Sequence, residues 1–145
     1  MLNRFFKSFS EETSSDLENS FELDLYNLVY EIIIADHEIT KEEIELASNL
    51  IYFYFNLPQE NNQKYLEELA QKEHFNTDLS QFAFRLKQTL SYQQRLDVIL
   101  ICWQVLMVDG KEDLLETSTV RTISSLLGLE DKDFILIRNR VKNSL

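Results

Sequence analysis

The sequence contains little of what sheets, disulfides and nucleic-acid surfaces require. It has 2 glycines and 1 proline among 145 residues, and folds that depend on tight β-turns use both residue types heavily. Its only cysteine, Cys102, excludes an internal disulfide and any metal site built from several cysteines. The net charge is −11, so a nucleic-acid phosphate backbone is not an expected partner. These shortages favour helices joined by short polar connections.

Long hydrophobic runs are also missing. The longest uncharged apolar run extends from Val98 to Val108, which is too short to cross a bilayer. The N-terminal stretch MLNRFFKSFS lacks the apolar core and cleavage site of a signal peptide. We therefore expect the protein to be cytoplasmic.

Residues 1–20 differ in composition from the rest of the chain. Residues 1–9, MLNRFFKSF, are basic and aromatic, and residues 10–20, SEETSSDLENS, are acidic and rich in hydroxyl groups. We predict a flexible segment over residues 1–20 and a single helical domain over residues 21–145. Phe5, Phe6 and Phe9 beside basic residues would suit contact with an anionic membrane, but such a segment more often docks weakly on its own domain or frays.

From Phe21 onward the apolar residues recur at helical spacing. The first predicted helix buries one face, formed by Leu25, Leu28, Val29, Ile32 and Ile33. Thr40 with Glu43 and Ser91 with Gln94 have the spacing of capping boxes that open helices. No stretch alternates as a strand would. We therefore predict an all-α fold of about seven helices in a compact bundle, with Gly128 ending the sixth.

A helix–acidic turn–helix unit occurs twice. The stretches IIADHEITKEE and LMVDGKEDLLE each place an Asp near the end of one helix and a Glu, at the same spacing from that Asp, at the start of the next. The pairs are Asp36 with Glu43 and Asp109 with Glu116, and one constant offset in residue number relates them. The same offset aligns the apolar faces, and a single-residue slip near Phe55 extends the match. We predict an internal duplication whose two units pack about a pseudo-twofold axis and bring the acidic turns together.

These motifs resemble the TerB-like tellurite-resistance proteins. The stretch VDGKEDLLETSTVRTISSLLGLEDKDFILIRNRV is similar to the second half of that family, and ADHEITKEEI is similar to its first-half motif. The N-terminal domain of a membrane-anchored DnaJ-like co-chaperone is similar too. The resemblance implies a compact all-α domain without an assigned reaction, and His37 departs from it by replacing the usual glycine. It also implies a divalent-cation site at Asp36, Glu43, Asp109 and Glu116.

Two accounts of these four acidic residues remain open. Helix capping alone explains Glu43 and Glu116. Asp36 and Asp109 lie near helix C-termini, where the helix dipole disfavours a carboxylate by about 0.3–1 kcal/mol, so each is expected to have a partner. A cation partner would be Ca²⁺, Mg²⁺ or Mn²⁺, because all the ligands are oxygens. The other partners considered are backbone amides or an arginine such as Arg85 or Arg121.

Motifs of known enzymes are missing. The sequence has no Gly-rich phosphate loop, no serine elbow and no supported cysteine–histidine pair, so we predict a protein that is not an enzyme, with a carboxylate–metal hydrolase as a minor alternative. One hypothesis is a cation-binding domain with a role in tellurite or stress resistance. The other is a helical adaptor whose acidic turns are structural and whose groove or N-terminal segment recruits a protein partner. The aromatic run IYFYF, residues 51–55, is interpreted as core.

Overall fold

The computed structural model describes residues 21–34, 38–72, 79–108 and 114–144, and of residues 114–117 it describes the backbone alone. Within these ranges the chain forms seven helices and no strand. None of these helices is long and apolar enough to cross a membrane. The prediction of an all-α bundle is confirmed. The helices are α1 (Phe21–Ile33), α2 (Lys41–Phe55), α3 (Gln59–Gln71), α4 (Leu79–Thr89), α5 (Tyr92–Leu106), α6 (Leu114–Leu126) and α7 (Asp131–Asn143).

Local capping determines where α2 and α5 begin. The backbone N–H of Glu43 donates to Thr40 Oγ1 at 3.1 Å, and the N–H of Thr40 donates to Glu43 Oε1 at 2.9 Å. Ser91 and Gln94 make the same reciprocal pair at the start of α5. Each box satisfies backbone donors that the first helical turn leaves without partners. Both predicted capping boxes are confirmed.

The α1 and α5 helices lie at the centre of the bundle. The α1 helix packs against α3, α4, α5 and α6, and α5 packs against α1, α2, α4, α6 and α7. The face predicted for α1 is fully buried. In α5, the Trp103 ring packs on Phe134 of α7 with ring centroids 5.7 Å apart. The hydrophobic core therefore forms around two helices that come from different halves of the chain.

The helix bounds agree with the predicted duplication. The α1 and α5 helices end at Ile33 and Leu106, and α2 and α6 begin at Lys41 and Leu114, so both pairs of bounds have the offset that relates Asp36 to Asp109. The bounds of α3 and α7 differ by one residue less than this offset, as the slip near Phe55 requires. The α2 helix contacts α5, and α1 contacts α6. That the two units superpose stays a prediction, and the segment of residues 1–20 lies outside the described residues.

The aromatic run at the end of α2 is only partly core. Ile51 is fully buried, but the side chain of Phe53 is 74% exposed and that of Tyr52 is 48% exposed. The interpretation of the whole run as core was wrong for these two residues. Because consecutive residues of an α-helix point about 100° apart, five neighbours cannot all face one core.

Candidate functional site

The structure describes only part of the predicted cation site. Asp36 and Asp109 lie outside the described residues, and so does the side chain of Glu116, whose backbone is in the first turn of α6. Glu43 is 7% exposed and lies in the first turn of α2. Among the side chains that the structure describes, no group of three or more His, Cys, Asp or Glu could hold a metal ion. The cation site at these four residues stays a prediction.

The carboxylate of Glu43 takes part in helix capping. Its Oε1 accepts from the Thr40 N–H and lies 3.2 Å from Thr40 Oγ1. A carboxylate at this position also interacts favourably with the positive end of the α2 dipole. These contacts account for a glutamate at residue 43 without a cation, as the second hypothesis requires.

Arg85 has a carboxylate partner on α1. Its Nη2 donates to Asp24 Oδ1 at 2.8 Å, and its Nε lies 3.0 Å from Asp24 Oδ2. The guanidinium also lies over the Phe82 ring, 5.6 Å from the centroid. Arg121 lies over the ring of Phe134 at 4.7 Å. Arg85 therefore joins α4 to the first turn of α1 through Asp24. An arginine partner for Asp36 or Asp109 stays a prediction, because both aspartates lie outside the described residues.

A groove of about 340 Å³ lies between α2, α5 and α7. We call it the α2–α5–α7 groove. Residues at positions i, i+3, i+4 and i+7 of α5 form one wall, and the same spacing on α7 forms the other, because this spacing brings side chains to one helix face. The groove is lined by Tyr54, Gln93, Leu96, Asp97, Leu100, Asp133, Leu136, Ile137 and Arg140.

The groove contains two carboxylates in different environments. Asp97 is partly buried, and burial raises the pKa of its carboxyl, while a hydrogen bond from Gln93 Nε2 at 3.1 Å acts in the opposite direction. Asp133 accepts a hydrogen bond of 2.5 Å from the hydroxyl of Tyr92. Among the described residues Asp97 makes no ion pair. The groove therefore contains a carboxylate that a basic group could neutralise.

The edge of the groove is apolar and open to solvent. Leu136 is 61% exposed, and the exposed ring of Phe53 packs edge-on against Tyr54 with centroids 4.9 Å apart. Burial also raises the pKa of the Tyr54 phenol. The lining residues include no histidine, cysteine or serine. The groove is thus suited to binding a ligand that has both apolar and cationic groups.

The groove could not be predicted from the sequence because its three walls come from helices distant in the chain. The only local signal is the repeated spacing of polar and apolar residues on α5 and α7. That pattern resembles an ordinary half-buried helix face.

Comparison with known proteins gives one family. The family model described as tellurite resistance protein TerB matches residues 22–139, which include both acidic turns and almost all of the groove. No curated protein and no solved structure matches the chain.

Proposed function

Since the chain belongs to the TerB family of tellurite resistance proteins, we propose that it is a non-enzymatic domain that binds a divalent cation at its two acidic turns. Such a site would serve a role in resistance to tellurite or a related stress. The proposed ligands are Asp36, Glu43, Asp109 and Glu116.

The observation that carries this proposal is the equal placement of the two turns. Residues 34–40 connect α1 to α2, and residues 107–113 connect α5 to α6. Each connection has an Asp at its third position, and each following helix has a Glu at its third. Capping explains Glu43 and is the expectation for Glu116, but an Asp just beyond a helix C-terminus lies at the unfavourable end of the dipole. A hard cation bound by oxygen ligands would supply the missing compensation.

The variant Asp109→Asn tests the cation directly. Without metal it should be neutral or slightly stabilising, since it relieves repulsion between carboxylates and the dipole clash. With millimolar Ca²⁺ or Mn²⁺ the wild type should gain more, by about 2.7 kcal/mol at a concentration of one hundred times the Kd. Thermal melting with and without metal measures both effects.

The matched control is Glu45→Gln, which removes one charge from an exposed position on α2 and should respond to metal as the wild type does. Two results would contradict the proposal. One is no rise in the melting temperature of the wild type with metal. The other is that Asp109→Asn destabilises the metal-free protein by about 1 kcal/mol or more, as for a lost structural hydrogen bond.

Metal analysis of protein purified without chelators identifies the ion. The biological role is tested by growing cells in the presence of tellurite. Cells that carry the double variant Asp36→Asn/Asp109→Asn should grow less well than cells that carry the wild type.

A second candidate function is a helical adaptor, favoured by the α2–α5–α7 groove and by the capping contacts of Glu43. Its partner would be a peptide with basic and aromatic side chains. Labelled short peptides, basic-aromatic or acidic-aromatic, can be titrated with the protein and followed by fluorescence anisotropy. Binding of the basic-aromatic peptide should be lost in Leu136→Lys and kept in Ile135→Lys, since Ile135 is exposed on α7 but does not line the groove. Equal binding of both peptides, or of neither, would contradict the adaptor.

A further inference from the structure

We propose that the α2–α5–α7 groove is the docking site for residues 1–9 of the same chain, MLNRFFKSF. The basic side chains of the segment face the groove carboxylates, and its phenylalanines cover the apolar edge. The proposal names the occupant of the groove and so rests on the second candidate function, that the groove is a binding surface.

The position of Phe21 places the segment within reach of the groove. Phe21 is the first residue of α1, and its ring lies 6.0 Å from that of Phe55, centroid to centroid. Phe55 directly follows Tyr54, which lines the groove. The first residue of α1 therefore contacts a residue of α2 that is next in the chain to a groove residue. Residues 10–20 are the proposed tether, and since each extended residue spans about 3.3–3.6 Å at most, this length of chain allows residues 1–9 to reach the groove.

Charge complementarity favours this occupant. Residues 1–9 contain Arg4 and Lys7 and no acidic residue, whereas two carboxylates and one arginine line the groove. The offset of the predicted duplication aligns Asp97 with Asp24. Arg85 neutralises Asp24 and donates hydrogen bonds to it from two nitrogens. Among the described residues, the hydrogen-bond partner of Asp97 is the side-chain amide of Gln93 alone. A basic side chain from the segment would give Asp97 the kind of partner that Asp24 already has.

The apolar surfaces are complementary too. The segment contains Phe5, Phe6 and Phe9, and the groove presents an exposed Leu136 beside the partly buried Leu96 and Tyr54. Covering an exposed leucine with an aromatic ring removes apolar area from water, which favours docking. A groove of about 340 Å³ has room for a few side chains of an extended segment.

Because residues 10–20 link the segment to the helical domain, a weak interaction is enough to keep it docked. A short flexible linker gives an effective concentration of the order of 1 mM. A segment with an intrinsic Kd of about 0.1 mM would then be docked about ten times as often as free. A contact of this strength is reversible, so an external basic-aromatic peptide would compete with the chain's own segment for the groove.

Limited trypsin digestion of the full chain tests the docking, because trypsin cleaves after Arg4 and Lys7. Release of the N-terminal peptides, measured by mass spectrometry, should follow the free fraction of the segment. Leu136→Lys places a positive charge at the groove edge and should speed release by about tenfold. Ile135→Lys places the same charge on the neighbouring exposed residue outside the groove and should leave the rate unchanged. Circular dichroism checks that both variants fold.

Several outcomes would overturn the docking. Equal release rates in the wild type, Leu136→Lys and Ile135→Lys would mean that the segment is not docked in this groove. Protection that rises with protein concentration would mean that the groove of a second copy holds the segment. If Leu136→Lys fails to fold, Phe5→Ser/Phe6→Ser leaves the helical domain unaltered and should also speed release by about tenfold.

The two experiments separate this inference from the function on which it rests. Peptide binding that depends on Leu136, together with trypsin release that does not, would keep the adaptor and reject docking of residues 1–9. If neither peptide binding nor trypsin release depends on Leu136, both the adaptor function and the docking of residues 1–9 are rejected.

Discussion

At the scale of single residues, the partner of each carboxylate determines what it can do. The offset of the predicted duplication aligns Asp24 with Asp97, on helices whose C-terminal ends have the same offset. Asp24 is nearly buried and is neutralised by Arg85, so it contributes to structure. Asp97 has only an amide partner among the described residues and faces a groove. We infer that the first half uses this position to join helices, whereas the second half leaves it available to a ligand.

Gly128 allows a residue-scale prediction about backbone conformation. Its φ is +75°, and an L side chain in this region costs roughly 1–2 kcal/mol. A Cβ there would also come within 2.8 Å of Lys87 Cε, a flexible side chain that can move away. Gly128→Ala should therefore destabilise the protein by about 1–2 kcal/mol, as measured by urea denaturation.

The control for Gly128→Ala is Asn56, which follows α2 in the first half and has φ of 59°. Asn56→Gly should change stability by no more than about 0.5 kcal/mol, because both residue types adopt this conformation. If Gly128→Ala were as stable as the wild type, the positive φ at the end of α6 would not be required.

At the scale of helices, Asn62 joins three parts of the first half. Its side chain is fully buried, accepts from the Tyr26 hydroxyl at 2.6 Å and donates to the carbonyls of Ser48 and Leu57 at 2.9 Å. Asn62→Ala leaves three buried polar groups without this partner. We expect a loss of about 3 kcal/mol in the free energy of unfolding, measured by urea denaturation.

The neighbouring Asn61 provides the comparison. Its Nδ2 has no hydrogen-bond partner among the described residues, so Asn61→Ala should cost less than about 0.5 kcal/mol. Similar losses in the two variants would mean that helix propensity or packing, rather than the hydrogen bonds of Asn62, determines the result.

Helix ends could be predicted from sequence, but the contacts between helices could not. The boxes of Thr40 with Glu43 and Ser91 with Gln94 were predictable because each joins residues within one helical turn. The bond from Tyr26 to Asn62 joins residues far apart in the chain, and nothing local distinguishes Asn62 from an exposed asparagine. The groove likewise depends on the packing of α2, α5 and α7. The predicted acidic residues follow from spacing, but whether they share one site depends on packing that spacing does not specify.

At the scale of the whole molecule, the two halves of the chain interleave. The α1 helix packs against α4, α5 and α6, and α2 packs against α5. Without the second half, α1 would expose the face that includes Leu28 and Ile32, which is fully buried in the intact protein. Because the two halves share this core, we expect them to unfold together and neither half to fold by itself.

Equilibrium unfolding of the full chain tests this cooperativity. Because the core is shared between the halves, urea should unfold the protein in a single transition, with the same midpoint by far-ultraviolet circular dichroism and by fluorescence of Trp103, which is buried in α5. Asn62→Ala alters the first half and Gly128→Ala the second, so each should shift both signals equally. If Asn62→Ala shifted the circular dichroism transition and left the Trp103 transition in place, the halves would unfold separately. The interleaved contacts of α1 and α5 would then contribute less to stability than the contacts within each half.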